Sequence, residues 1–101
     1  MTLKLAQDKL RFRLSPHDVD KLLREKQISS QVNFADKSLK FHLVSRNDIE
    51  KPAVQYLSNV VSVVVAEIEF LEWLNSSEIE FAFDQNNINV MIEKDLKPQR
   101  G

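Results

Sequence analysis

Three groups of side chains in this 101-residue sequence are of types that do chemistry. His17, Asp18 and Asp20 fall within four residues, and a histidine beside carboxylates is the arrangement a general base needs. Two Glu-Ile-Glu units, Glu67/Glu69 and Glu78/Glu80, space carboxylates two apart. On a strand that spacing puts both on one face, where they could hold a divalent ion or an ammonium group. Lys4, Arg11, Arg13, Lys40 and His42 alternate with apolar residues, so strand geometry would gather them opposite a buried face.

The first two groups have plainer explanations. Ser15 precedes Pro16 and stands three residues before Asp18, which is a helix start with its capping residues in place. Asp18 and Asp20 then suit the helix dipole, and His17 has no evident nucleophile to activate. Ile68, Ile79 and Phe81 alternate with the glutamates, as on a strand with one wet face. Oxygen-only metal sites draw on Asp, Asn and Gly in loops, which this segment lacks. Trp73 and Tyr56 could stack on a ligand, but Trp73 beside Phe70 and Leu74 reads as core.

Composition removes other classes. The one glycine is Gly101, so no glycine-rich loop can cradle phosphate. Cysteine is absent and there are two histidines, which excludes thiolate catalysis, disulfides and Cys-based metal sites. No cofactor and no metal are expected. The Met1-Thr2-Leu3-Lys4 start carries no apolar leader core, and no apolar run approaches the ~20 residues of a membrane helix, so a cytoplasmic protein is expected.

The elements that must position these residues are mainly strands. Period-two patterns occur at Leu3/Leu5, Leu10/Phe12/Leu14, Ile28 to Phe34, Leu39/Phe41/Leu43, Ile79/Phe81/Phe83 and Ile88/Val90/Ile92. Hairpins are predicted across Ala6–Lys9, Ala35–Ser38 and Asp84–Asn87. Asp and Asn serve there in place of glycine. A helix is predicted over about 16–26, from the Val19/Leu22/Leu23 stripe. The β-branched run from Val60 predicts a strand to Ile68, buried on both faces, followed by a short helix over about 70–75. Ser45 to Asn59 reads as a long loop, and residues 98–101 as a disordered tail behind a single domain over 1–97.

The start Leu3-Lys4-Leu5, then Leu10-Arg11-Phe12-Arg13-Leu14-Ser15 and Val19, resembles a family of small uncharacterised bacterial proteins. So do Trp73 and the ending Ile92-Glu93-Lys94-Asp95-Leu96, although Leu96 stands where that family tends to carry an aromatic and no cysteine follows. The resemblance implies one complete domain and transfers no activity.

The fold expected is α+β: a curved, mostly antiparallel sheet of six or seven strands packed on two helices. Its core should contain Leu10, Phe12, Leu14, Leu22, Phe34, Phe41, Val63, Val65, Trp73, Phe81, Val90 and Ile92. Glu93, Lys94 and Asp95 form a candidate polar rim, with Lys94 facing inward or to an edge. Charge is unevenly divided: residues 1–50 hold ten Lys+Arg and seven Asp+Glu, net +3, while residues 51–101 hold four and eight, net −4. The basic row is therefore the expected binding surface, for a protein or an anionic ligand. Phe12 and Phe41 point inward and offer no stacking platform, which argues against nucleic acid. The reading favours an interaction module over an enzyme and leaves homo-oligomerisation open. The alternative is a small enzyme or ligand-binding barrel with Arg11, Arg13, Glu78 and Glu80 lining a closed sheet.

Overall fold

The computed structural model describes residues 1–95. The expected disordered tail lies outside the described residues. Eight strands and two helices follow in the order β1 (Thr2–Ala6), β2 (Lys9–Leu14), α1 (Pro16–Glu25), β3 (Gln27–Phe34), β4 (Lys37–Arg46), β5 (Ala53–Leu57), β6 (Val60–Ala66), α2 (Glu67–Leu74), β7 (Glu80–Gln85) and β8 (Ile88–Lys94). They form two four-stranded sheets, I in the order β1-β2-β8-β7 and II in the order β3-β4-β6-β5. The class is α+β as expected, but there are two mixed sheets in place of one. All four hairpin pairings are antiparallel, whereas the central pairs β2–β8 and β4–β6 are parallel.

This order contains a relation that the sequence does not announce. Residues 1–46 and 53–94 have the same plan, hairpin–helix–hairpin. Each sheet takes one hairpin from each half, and exchanging β1–β4 for β5–β8 turns the order of sheet I into that of sheet II. Equivalent positions carry equivalent burial: Leu10, Phe12 and Leu14 on β2 match Val61, Val63 and Val65 on β6. Phe41 and Leu43 on β4 match Val90 and Ile92 on β8. The two buried polar side chains, Ser45 and Lys94, occupy one and the same place in the plan. The backbone N–H of each donates at 2.9 Å to the residue that precedes the neighbouring edge strand: Ser45 to Lys26 O, and Lys94 to Ile79 O.

Local chemistry explains the elements. At α1, Asp18 N donates to Ser15 Oγ (3.1 Å) and Ser15 N donates to Asp18 Oδ2 (2.9 Å), which completes the capping box. Leu22 buries the helix stripe, and Lys26 closes the helix in a left-handed conformation (φ 66°) with its N–H on Leu22 O. Two hairpin turns, Ser58-Asn59 and Asn86-Asn87, hold both residues at positive φ. That is the type I′ geometry matching strand twist, and asparagine tolerates it better than most residues.

One core unites both sheets and both helices. Of the core expected from sequence, ten residues are buried, Phe81 is partly buried, and the side chain of Phe34 lies outside what the structure describes. Ile28, Leu43, Val61, Phe70 and Leu74 join them.

Three expectations are corrected. β6 ends at Ala66, and Ile68 sits exposed on α2, because only Val61, Val63 and Val65 face the core; the alternate face is half-covered. The short helix therefore begins at Glu67, ahead of 70. The 45–59 stretch is a loop only over residues 47–52. It holds the end of β4, then β5, and then the Ser58-Asn59 turn. β5 escaped notice because it is an edge strand whose Gln55, Tyr56 and Leu57 are all exposed, which erases the period-two signal.

Candidate functional site

The His17 group is a helix terminus. Asp18 is held by Ser15 and by the Met1 ammonium at 2.8 Å. Burial pushes its carboxyl pKa up, but the Met1 and Ser15 hydrogen bonds outweigh that and hold it below the usual range. His17 and Asp20 are exposed.

The glutamates separate. Glu67 pairs with Lys26 at 3.5 Å, bridging the two helix ends. Glu69, Glu78 and Glu80, with Glu72, line a cleft of about 420 Å³ beside Trp73 and Phe81. No group of three carboxylates or imidazoles among the described residues is close enough to share a metal ion. Trp73 is core: its ring lies 5.4 Å from that of Phe70 and 5.6 Å from that of Phe81, and its Nε1 has no partner among the described residues.

Lys94 points inward, one of the two positions that alternation along β8 left open. Its ammonium donates to Trp73 O (2.9 Å) and Ser76 O (2.8 Å) and stands 4.8 Å from the centre of the Trp73 ring. Burial pushes its pKa below the ordinary lysine value, and the Glu78 carboxylate pulls it the other way. Glu93 faces outward beside it, and Asp95 N donates to Leu14 O at 2.8 Å. This corner holds the end of α2 against β8, so its visible work is structural.

The five residues of the basic row divide between the two sheets. Lys4, Arg11 and Arg13 are exposed on the outer face of sheet I, with Lys4 directly opposite Arg11 and Arg13 opposite Thr2. Toward β8 and β7 the same rows run on as Arg13–Glu93–Glu80 and Arg11–Met91–Ala82. Arg11 reaches only the Met91 sulfur, at 3.5 Å, and none of the three cations forms an ion pair among the described residues. They border a small groove of about 120 Å³ with Thr2 and Glu93. Lys40 and His42 lie on sheet II, between Gln31 and Val60 and between Ser29 and Ser62. His42 Nε2 is 3.0 Å from Gln27 Oε1. Alternation told outward from inward correctly, but it could not tell which sheet each strand joins.

Sequence reasoning missed a cleft of about 470 Å³ where the two sheets part at their hairpin ends. Its walls come from β1, β2, β4, β5, β6 and β8. The exposed apolar residues Leu5 and Tyr56 were the available signal, but β5 had to be recognised before Tyr56 could be placed.

The structure defines a small two-sheet α+β domain with one apolar core, three cations on the outer face of sheet I that form no ion pair among the described residues, and a largely apolar cleft. No helix among the described residues is long and apolar enough to cross a membrane. The chain belongs to a family of unknown function, DUF7009, whose model matches residues 1–99. No curated protein and no solved structure is found to match it.

Proposed function

We propose that this domain is a binding module of the bacterial cytoplasm that presents the outer face of β1 and β2 to an acidic, extended segment of a partner protein. One observation carries the reading: Lys4, Arg11 and Arg13 crowd one exposed hairpin with no ion pair among the described residues. Like charges directly across strands cost a few tenths to ~1 kcal/mol per pair, so the Lys4–Arg11 juxtaposition serves the isolated fold poorly. A positive face of this kind steers and holds an anionic partner. Lys4 and Arg11 share one cross-strand row and Arg13 stands on the next row of that face, so the charges are spread along the strands, which suits an extended chain better than a compact anion. The barrel reading gains no support, since Arg11, Arg13, Glu78 and Glu80 are all exposed and Lys94 is the one charged side chain buried among the described residues.

Calorimetric titration with poly-L-glutamate, at low and at physiological salt, tests the proposal. Binding should weaken as salt rises. It should vanish in an Arg11→Ser/Arg13→Ser variant whose melting temperature is unchanged or raised. Equal binding by that variant, or none at low salt, refutes it. Tighter binding of inorganic tripolyphosphate than of polyglutamate would shift the assignment to a small anionic ligand.

A further inference from the structure

The inner faces of a two-sheet domain normally close on one another, and here they do so everywhere except at the hairpin end. Leu5 on β1 and Tyr56 on β5 belong to the inner faces, yet they are 55% and 65% exposed. Their cross-strand partners Leu10 and Val61 are buried at the floor between them, and Leu39 and Ile88 are half-buried. These six residues form three equivalent pairs in the hairpin–helix–hairpin plan, Leu5 with Tyr56, Leu10 with Val61, and Leu39 with Ile88. The cleft is thus the junction of the two halves, with one wall from each.

We propose that this cleft binds an aliphatic chain with a neutral hydroxyl head, a long-chain alcohol. Its volume, about 470 Å³, falls in the range of small-molecule sites. Seven of the eleven lining residues are aliphatic, with Gln7, Asp8, Lys9 and Tyr56 the rest. Tyr56 supplies the one ring among the described lining residues, so the lining favours a flexible aliphatic chain over a stacked aromatic. The charges at the lip, Asp8 and Lys9, are adjacent and opposite, which leaves no net charge to hold an ionic head. The Tyr56 hydroxyl donates to Asn59 Oδ1 at 3.1 Å, so its oxygen is left to accept from a hydroxyl on the ligand. A second copy of the chain is the competing occupant, which a dependence on protein concentration would reveal.

Methyl and amide NMR with 1-octanol, 1-decanol and decanoate tests the site. The alcohols should give saturable shifts confined to Leu5, Leu10, Leu39, Val61 and Ile88. Affinity should rise about fourfold per added methylene until the cleft is full. Decanoate should bind more weakly than decanol. Leu5→Asp changes an exposed residue, so it should fold as wild type and lose at least tenfold in decanol affinity. The Arg11→Ser/Arg13→Ser variant should bind decanol unchanged, which separates this site from the basic face. Uniform non-saturating shifts, no dependence on chain length, tighter binding of decanoate, or full binding by Leu5→Asp would overturn the proposal. Concentration-dependent shifts of the same methyls without any alcohol would make a second copy the occupant and overturn it equally.

Discussion

Replacing Lys94 with methionine removes the one charged side chain in the described core while keeping an unbranched stem of similar reach. Three terms oppose one another. The two hydrogen bonds from the ammonium, at 2.9 and 2.8 Å, are charge-assisted and worth about 1.5–3 kcal/mol each. Its place over the Trp73 ring adds up to about 2 kcal/mol. Against both stands desolvation of the ammonium, several kcal/mol for a buried ion. The acceptors are not stranded by the change. Trp73 O still receives Ser76 N (3.0 Å) and Ser76 Oγ (2.7 Å), and Ser76 is exposed, so its own carbonyl can turn to water. Lys94→Met should therefore lie within about 1 kcal/mol of wild type. Lys94→Ala deletes three buried methylenes and leaves a cavity, a loss of about 3 kcal/mol. Urea denaturation of the three proteins measures both. The pH dependence has a definite sign. With its folded pKa depressed, Lys94 binds its proton less readily in the folded state, so its contribution to stability rises with pH from that depressed value toward the unfolded 10.5. The wild type should gain on Lys94→Met across that window. A methionine variant as unstable as the alanine variant would refute the reasoning, because the ammonium's bonds and not the packing would then be holding this corner.

Ser15→Ala should cost about 1 kcal/mol by denaturation midpoint, since it removes the Oγ that accepts from Asp18 N while the backbone N–H at 15 keeps its bond to Asp18. Asp18, with its pKa depressed, stabilises the fold above the ordinary carboxylate range and ceases to as pH falls through its folded value. Asp18→Asn should flatten that acid limb in a pH series of melting temperatures. Writing Asn-Gly into the Ser58-Asn59 turn should raise stability by roughly 0.5–1 kcal/mol, because a Cβ at positive φ is removed and the type I′ preference is met. Amide exchange should be slowest over Val61–Val65, in a strand paired on both sides, and fast at the outward amides of β5.

Reading the sequence by periodicity succeeded where apolar and polar residues alternate cleanly, and failed at β6, whose β-branched run hid that only one face is buried. Leu10, Phe12 and Leu14 alternate cleanly because β2 is a central strand, and counting from Ile92 left Lys94 inward or at an edge, of which the structure has the first. The Ser15-Pro16-Asp18 cap was equally legible, being local chemistry. Edge strands were harder: β5 carries its apolar Tyr56 and Leu57 on opposite faces, both exposed, and leaves no pattern. Long-range pairing was beyond reach. Nothing in Phe12 or Ile92 states that they are neighbours across a parallel pair, so the split into two sheets, the separation of Lys40 and His42 from Arg11, and the cleft all stayed hidden. The two halves also share residue classes without sharing residues, as with Phe12 and Val63 or Ser45 and Lys94, which conceals their common plan.

The crossed pairing also bears on how the chain reaches this state. Each sheet is half built from residues 1–46 and half from 53–94, so neither segment can satisfy its central strand alone. β2 must wait for β8, some eighty positions later in the chain. Folding should therefore be slow for a domain this small, and largely post-translational, since long-range parallel pairing is the last contact to be rewarded. A cut between Arg46 and Ala53 would give two fragments that are unstructured apart and cooperative together. In the uncut protein the same two halves could close onto those of a neighbouring chain, with every sheet contact reproduced, so a partly folded molecule at high concentration has an exchanged dimer as its ready alternative.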